Sequence, residues 1–398
     1  MKKAMRKPNR KSISILVDAA AEWIVEGAPS TWPCNHLAEK GLRGLFFEGV
    51  PFKEKPTRVF AWLGLPAGAS TTSPVPGVVL VHGGGGTAFA RWVRWWNARG
   101  YAAIAMDTCG TMPLPETGER GSASWPQHSH SGPQCEPFAQ AGCEPGEQWV
   151  FHACACAVKA HSLLAALPEV DEKRIGVTGV SWGGFLTCLL AGIDPRFRCA
   201  APVYGCGYLG DESVWSSTGE FAAMSESQQL FWRDNFDPSS VLPRVKIPML
   251  WLNGTNDFAF WPPVWQKSAV SSSGPRQLCM KVRWPHGHIP AAEQAREIEQ
   301  FFQAQLAGGL PLVSISPPQV KGSRIKAAFG DERPVRSASL AVTVDRGLWP
   351  EREWHILPAA LDAAARQVTA IVPDGATAAY LELLSDDWLT STSDIVFW

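Results

Sequence analysis

The run Gly179-Val180-Ser181-Trp182-Gly183-Gly184 constrains this chain more than any other stretch, because it lies between two apolar segments, Ile175 to Thr178 and Phe185 to Leu190. The first reads as a buried strand and the second as a helix. The backbone must therefore pass from strand to helix within a few residues, with a serine at the apex. Such a turn forces the serine into a conformation that side chains resist, and the glycines two residues to either side remove groups that would collide there. A hydroxyl held in this way stands clear of the sheet edge, free to attack. A glycine-rich turn with an incidental serine is the competing reading, and the strand, turn and helix setting weighs against it.

Around this turn, from Phe60 to about Gln305, short apolar runs alternate with longer helical ones, the pattern of a parallel sheet covered by helices on both faces. Strands are expected over Gly77 to Val81, Tyr101 to Met106, Ile175 to Thr178, Ala200 to Tyr204, Met249 to Leu252 and Leu278 to Val282. Their unbroken apolar character suits strands buried on both faces. Helices are expected over Thr87 to Arg99, Gln148 to Leu167, Phe185 to Ala191 and Ala291 to Leu306, with Gly100 and Gly192 as helix stops. Two insertions, Thr108 to Gly146 and Gly205 to Val245, leave the C-terminal ends of strands. In an open α/β sheet that edge binds ligands, so the insertions are expected to wall a substrate pocket, with plain surface loops as the alternative. After Pro311 the texture changes to short strands, Arg324 to Phe329, Ser337 to Val344, Gln367 to Val372 and Ala378 to Leu384, separated by turns such as Gly330-Asp331 and Asp374-Gly375. The expected organisation is an N-terminal arm (1–50), an α/β domain with a doubly wound, mostly parallel sheet (51–310) and a C-terminal all-β, immunoglobulin-like sandwich (311–398).

Three further motifs carry chemistry. His82-Gly83-Gly84-Gly85-Gly86 follows the first parallel strand directly, and bare glycines let backbone N–H groups approach a substrate oxygen. Together with the amide of Trp182, an N–H of Gly83 or Gly84 is expected to hold a tetrahedral oxyanion. A phosphate cradle is the rival use of such glycines, but no Lys-Ser/Thr follows. Asp257, in the turn Asn253-Gly254-Thr255-Asn256-Asp257 after a later strand, is the expected acid, and an Asp that merely closes the turn is the alternative. Pro285-His286-Gly287-His288 follows the last core strand and offers two histidines, only one of which can be the base. The preceding glycine gives His288 freedom to turn back towards the serine, so His288 is the expected base and His286 a supporting residue at the substrate site. The resulting chain order is Ser181, Asp257, His288.

Composition narrows what such a site can serve. Of 398 residues, 45% are hydrophobic and 18% charged, which describes a chain with a large core rather than a disordered one. A formal net charge of -1 gives no basic footprint for nucleic acid. No stretch approaches a membrane span, and the basic opening Met1 to Lys11 is followed by a segment broken by Asp18 and Glu22, a poor export signal, so a cytoplasmic location is expected. Most of the ten cysteines fall in apolar stretches and read as reduced core thiols, while Cys135 and Cys143 could pair. Cys154-Ala-Cys156 lacks metal-ligand spacing, and neither a metal nor an organic cofactor is expected. Nineteen tryptophans are many, and Trp125, Trp182, Trp215, Trp232 and Trp261, in or beside the expected pocket loops, are candidates to stack on sugar rings, with core packing as the alternative.

With the motifs Val81-His82-Gly83-Gly84-Gly85-Gly86, Arg174 to Gly184, Leu252 to Asp257 and Pro285 to His288, residues from about 45 to 307 resemble the acetylxylan esterase-like branch of the α/β-hydrolases. Dienelactone hydrolases and prolyl-oligopeptidase-type peptidases are more distant relatives in this resemblance. Dienelactone hydrolases carry cysteine where this chain has Ser181, and about 50 residues before the hydrolase region leave no room for a propeller. The resemblance implies a serine esterase that acts on a small acyl ester or an acetylated carbohydrate through an acyl-enzyme. A prolyl-oligopeptidase-type peptidase and a non-catalytic binding module are the alternatives, and self-association stays open. The C-terminal sandwich falls outside the resemblance.

Overall fold

A computed structural model describes residues 14–114 and 125–398. The basic opening Met1 to Lys11 and the middle of the first insertion lie outside the described residues. Nine strands form the main sheet: β1 (Thr31–Pro33), β2 (Arg43–Glu48), β3 (Arg58–Gly64), β4 (Val75–Val81), β5 (Ala102–Met106), β6 (Val170–Val180), β7 (Ala200–Val203), β8 (Met249–Gly254) and β9 (Arg276–Lys281). Their order is β1-β2-β3-β5-β4-β6-β7-β8-β9, antiparallel from β1 to β5 and parallel from β5 to β9. The expected parallel strands are all present. The segment expected as an N-terminal arm supplies β1 and β2, whose alternating burial, with Leu45 and Phe47 inward, puts one face of β2 on the core.

The helices are α1 (Ile15–Val25), α2 (Ala90–Asn97), α3 (Trp149–Ala165), α4 (Trp182–Ile193), α5 (Val214–Ser217), α6 (Glu226–Asn235), α7 (Pro262–Ser271), α8 (Pro290–Glu293) and α9 (Arg296–Leu306). A methyl group on Gly77 would meet Leu164 of α3, and one on Gly176 would meet Phe302 of α9. Gly77 pairs with Ile175, and neighbouring residues of a strand face opposite sides, so α3 and α9 cover opposite faces of the sheet. The central strands β5, β7 and β8 are accordingly buried along their whole length. Gly100, with φ 87°, lies just beyond α2 as expected. Gly192 instead lies inside the last turn of α4, where a side chain would collide with Val241.

The order reverses at β4, whose successor β5 lies on one side and β6 on the other. A crevice opens where loops leave such a reversal in opposite directions. The glycine loop at residue 82 and Ser181 leave from these two adjacent strand ends.

The C-terminal domain is two antiparallel sheets, β10-β11-β15-β14 and β13-β12-β16-β17, with β18 also on β16. The strands are β10 (Gln319–Lys321), β11 (Arg324–Ala328), β12 (Val335–Thr343), β13 (His355–Pro358), β14 (Ala360–Asp362), β15 (Gln367–Ile371), β16 (Ala378–Ser385), β17 (Thr390–Thr392) and β18 (Val396–Phe397). Strand β16 shows how this domain is joined to the rest. Ala379, Leu381 and Leu383 enter the sandwich core with Ile325, Leu340 and Val368, while Ala378 and Tyr380 pack into the core of the α/β domain. Its two-residue period thus serves two cores at once. Beside it, the Met280 N–H at the β9 edge donates to Thr392 Oγ1 at 3.2 Å, and Arg276 pairs with Asp394 at 2.6 Å, so the open edge of the main sheet is covered.

Candidate active site

Ser181 is the N-cap of α4 and has φ 61° and ψ -122°, a conformation that costs a non-glycine residue of order 1–3 kcal/mol. Two bonds hold it there: its N–H donates to Val203 O at 2.9 Å, and its carbonyl accepts from Phe185 N at 2.9 Å. The flanking glycines are required by contact. A methyl on Gly179 would lie 2.2 Å from Gly183 O, and one on Gly183 would lie 2.0 Å from Val81 O. The N–H of Trp182, in the first helical turn, has no acceptor within the helix and lies next to the serine.

The glycine loop meets this turn at van der Waals distance. A methyl on Gly83 would lie 2.9 Å from Ser181 Cβ, and one on Gly84 would lie 2.8 Å from Trp182 Cδ1. His82 is structural: its Nδ1–H donates to Gly83 O at 2.7 Å, and its Nε2 accepts from Thr108 N at 2.9 Å. Asp107 behind it accepts from Cys109 N, Thr111 N and Thr111 Oγ1, and so locks the start of the first insertion.

Asp257 and the two histidines do not pair as expected. Asp257 Oδ2 bonds His286 Nδ1 at 2.6 Å, while its Oδ1 accepts from Ala259 N at 2.9 Å and Phe260 N at 2.7 Å. The carboxylate is buried and fixed from three directions. His286 is stacked on Tyr204, with ring centroids 4.4 Å apart and 24° between planes, and flanked by Phe258 at 4.6 Å. Tyr204 has φ 63° and its hydroxyl donates to Pro285 O at 2.7 Å, which ties the histidine turn to the end of β7.

His288, the expected base, is paired elsewhere. Its Nδ1 bonds Glu293 Oε1 at 3.0 Å, and its Nε2 accepts from the N–H of Gly83 at 2.8 Å. Glu293 also accepts from Arg91 Nε at 2.9 Å and Nη2 at 2.6 Å. These bonds hold the Glu293 carboxyl below its ordinary range against the upward push of burial. Burial drives the His288 imidazole below its ordinary value, and Glu293 offsets only part of that. The cause of the difference is backbone direction: Gly287 has φ 155° and Arg283 φ 52°, and the chain between them sends the two rings to different neighbours. His286, expected to support the substrate site, is instead the histidine bonded to Asp257. Sequence inspection missed Glu293, Arg91 and Tyr204. Glu293, five residues after His288, carried a weak signal, and Arg91, far away on α2, carried none.

The expected aromatic walls divide. Trp125 Nε1 donates to Gly85 O at 3.1 Å, so its ring lies at the glycine loop. Trp215, half-buried, sits against Trp182 with centroids 4.6 Å apart. Trp232, by contrast, is fully buried on α6 between Phe138 and Phe185 and is core, and Trp261 is buried as well. The wall that sequence inspection overlooked is Phe258, 56% exposed beside His286.

The sandwich reaches the acid turn from behind. Asn256 Nδ2, adjacent to Asp257, donates to Pro350 O at 3.0 Å and Arg352 O at 2.7 Å, and Trp349 Nε1 donates to Glu212 at 2.6 Å. All ten cysteines are free. Burial pushes the core thiols Cys154, Cys156 and Cys199 far above their ordinary range, and Cys135 lies beside Cys109 rather than pairing with Cys143. Among the described residues, no group of three or more His, Cys, Asp and Glu could hold a metal ion, and no helix is long and apolar enough to cross a membrane.

A strained serine at the strand reversal, a histidine bonded to an aspartate on later strand ends, and this strand order define an α/β-hydrolase. Residues 43–235 match the family model described as acetyl xylan esterase (AXE1). Among solved structures, the acetyl xylan esterase from Paenibacillus sp. R4 superposes with a TM-score of 0.57 at 20% identity, over 76% of this chain and 97% of that one. Acetyl xylan esterase 1 from Thermoanaerobacterium sp. JW/SL YS485 gives 0.57 at 17% identity, over 73% of this chain and 93% of that one. A curated relative, the uncharacterized peptidase YuxL of Bacillus subtilis, is 27% identical over 213 residues, which span 50% of this chain but only 28% of that protein. The family match covers just under half of the chain and marks an acetyl xylan esterase-type domain within residues 43–235.

Proposed function

We propose that this chain is a serine esterase that removes short acyl groups, acetyl foremost, from a carbohydrate or another small alcohol. The observation that carries the reading is the Asp257–His286 bond at 2.6 Å at the same sheet edge as the strained Ser181. Asp257 fixes the proton on His286 Nδ1, leaving Nε2 as the basic nitrogen. His286 takes the Ser181 proton as Oγ attacks the ester carbonyl, and then gives that proton to the departing alkoxide, leaving an acyl-serine. Water deprotonated by the same imidazole then attacks the acyl carbon. The proton returns to Ser181 Oγ as the acid departs. The N–H groups of Trp182 and Gly84 are the oxyanion donors, since Gly83 donates to His288 in the resting site. Each such donor contributes about 3 kcal/mol in comparable sites.

Trp125 at the glycine loop, Trp215 against Trp182 and Phe258 beside His286 offer apolar faces for a sugar ring, which supports an acetylated carbohydrate as substrate. The test has two arms. Wild type should hydrolyse p-nitrophenyl acetate with a burst of about one equivalent, and Ser181→Ala should give neither burst nor turnover; equal rates would remove the catalytic claim. Mass spectrometry of products from acetylated sugars, run beside prolyl and alanyl amides, should show acetate release and leave the amides intact. Preferred cleavage of the amides would make the chain a peptidase.

A further inference from the structure

The family mechanism needs one histidine and one carboxylate, and this chain buries two such pairs within a few residues of each other. The second, His288 with Glu293, has every polar atom engaged: Nδ1–H on Glu293, Nε2 on the Gly83 N–H, and Glu293 on Arg91. Burying a carboxylate is costly unless its oxygens are satisfied, and here the half-exposed Arg91 guanidinium and the His288 ring satisfy the buried Glu293. The network ends on the glycine loop that faces the nucleophile, where a methyl on Gly83 would lie 2.9 Å from Ser181 Cβ.

We infer that His288 is a positioning residue for the oxyanion loop: by accepting the Gly83 N–H it sets the orientation of the following peptide and leaves the Gly84 N–H for the substrate oxygen. The inference rests on Ser181 being the nucleophile. The Gly84 N–H has no protein acceptor among the described residues, and Gly84 is exposed at the site. Glycine residues rotate freely, so a loop of four in succession is oriented by its contacts: His82 and the Gly86 N–H hold the Gly83 carbonyl and Trp125 holds that of Gly85, which leaves the Gly83 N–H to be fixed. His288 fixes that N–H from the turn before α8, and Glu293, itself held by Arg91, holds the ring at its other nitrogen.

The anchor works only while Nε2 is unprotonated, because an amide N–H needs a lone pair to donate to. Three charged or titratable groups face the ring. Glu293 on α8 favours the protonated form, and Arg91 on α2 and His82 at the loop's start oppose it. Phe89, with its centroid 4.6 Å away, and Trp92 complete the enclosure. Once protonated, Nε2–H would confront the Gly83 N–H, two donors with nothing between them, and the loop would lose its setting. Activity should therefore carry an acid limb belonging to His288.

The test compares His288→Leu, which removes the acceptor, with His288→Gln, whose side-chain oxygen can accept but does not titrate. Rates on p-nitrophenyl acetate and pH profiles are read for the full chain. His288→Leu should lower kcat by roughly 10–100-fold with KM within about twofold, less than the loss from deleting an oxyanion donor outright. His288→Gln should recover most of kcat and lack the His288 limb, while the acyl burst remains in both. If both variants keep the wild-type kcat and pH profile while Ser181→Ala is inactive, the positioning role falls and the esterase reading stands. If His288→Leu abolishes the burst while His286→Ala keeps it, His288 is the base and both the positioning role and the assignment of His286 are overturned.

Discussion

Two histidine–carboxylate pairs lie two residues apart in the turn after β9, and they differ in what lies at the far nitrogen. In the Asp257–His286 pair the carboxylate is fixed by backbone amides of its own turn, and the imidazole is stacked on Tyr204, with Nε2 not committed to any protein donor among the described residues. In the Glu293–His288 pair the carboxylate is held by a guanidinium, and Nε2 is already occupied by a loop amide. In the proposed reading the same two functional groups make a proton carrier in one place and a bracket in the other. What separates them is whether the second nitrogen is left for chemistry.

The sharpest way to break this contrast is Asp257→Asn. An amide in place of the carboxylate would favour the wrong imidazole tautomer, and kcat on p-nitrophenyl acetate should fall by about 10⁴-fold with little change in KM. A loss of that size from Glu293→Gln instead would exchange the two roles.

Buried imidazoles without a carboxylate set the baseline. His152 and His161 are pushed down to about 4 by burial, and neither ring nitrogen of His161 has a partner. The unfolded chain takes up these protons near the ordinary 6.5, and the folded chain does not until about 4. Stability is therefore whole above that ordinary value and declines as pH falls through the interval, by up to roughly 3 kcal/mol for each group. Urea unfolding at pH 7 and pH 4.5 should show the decline, and His161→Phe should remove about half of it. An identical decline in the variant would mean that other groups carry it.

A smaller effect is expected at Glu293. Glu293→Gln keeps the shape but removes the charge that favours protonated His288, so kcat should drop about tenfold and the His288 acid limb should move to lower pH. A limb that moves upward or stays would detach His288 from the profile. Smallest is Asn256→Ala, which cuts the two bonds from the acid turn to Pro350 and Arg352 and should cost about 1–2 kcal/mol in unfolding midpoint with a few-fold loss of kcat. Unchanged stability and kcat would show that the sandwich does not support the acid turn.

The sheet was legible because buried strands and covering helices differ in length and apolar continuity, and the elbow because only glycine fits at positions 179 and 183. The choice between His286 and His288 was not legible. They sit two apart in a turn with no periodic face, and their directions depend on dihedrals at Arg283 and Gly287. The freedom of a glycine argued for His288 equally well as base or as bracket. Arg91 reaches Glu293 across 202 residues of sequence, a pairing that local pattern does not encode. Trp232 was misjudged because the second insertion folds into α6, capped by Ser225, and turns that ring inward. The strands β1, β2 and β3 were overlooked because they lie at the antiparallel end of the sheet, outside the rhythm of alternating strand and helix.

The clasp between Asn256 and the backbone of Pro350 and Arg352 fastens the C-terminal sheets to the turn that carries Asp257. The residue next to the acid is gripped by a polypeptide loop encoded nearly a hundred positions downstream. The hydrolase portion is therefore not a cassette to be lifted out of its gene, and a graft of its sandwich onto another esterase would carry half of a fastening without its mate.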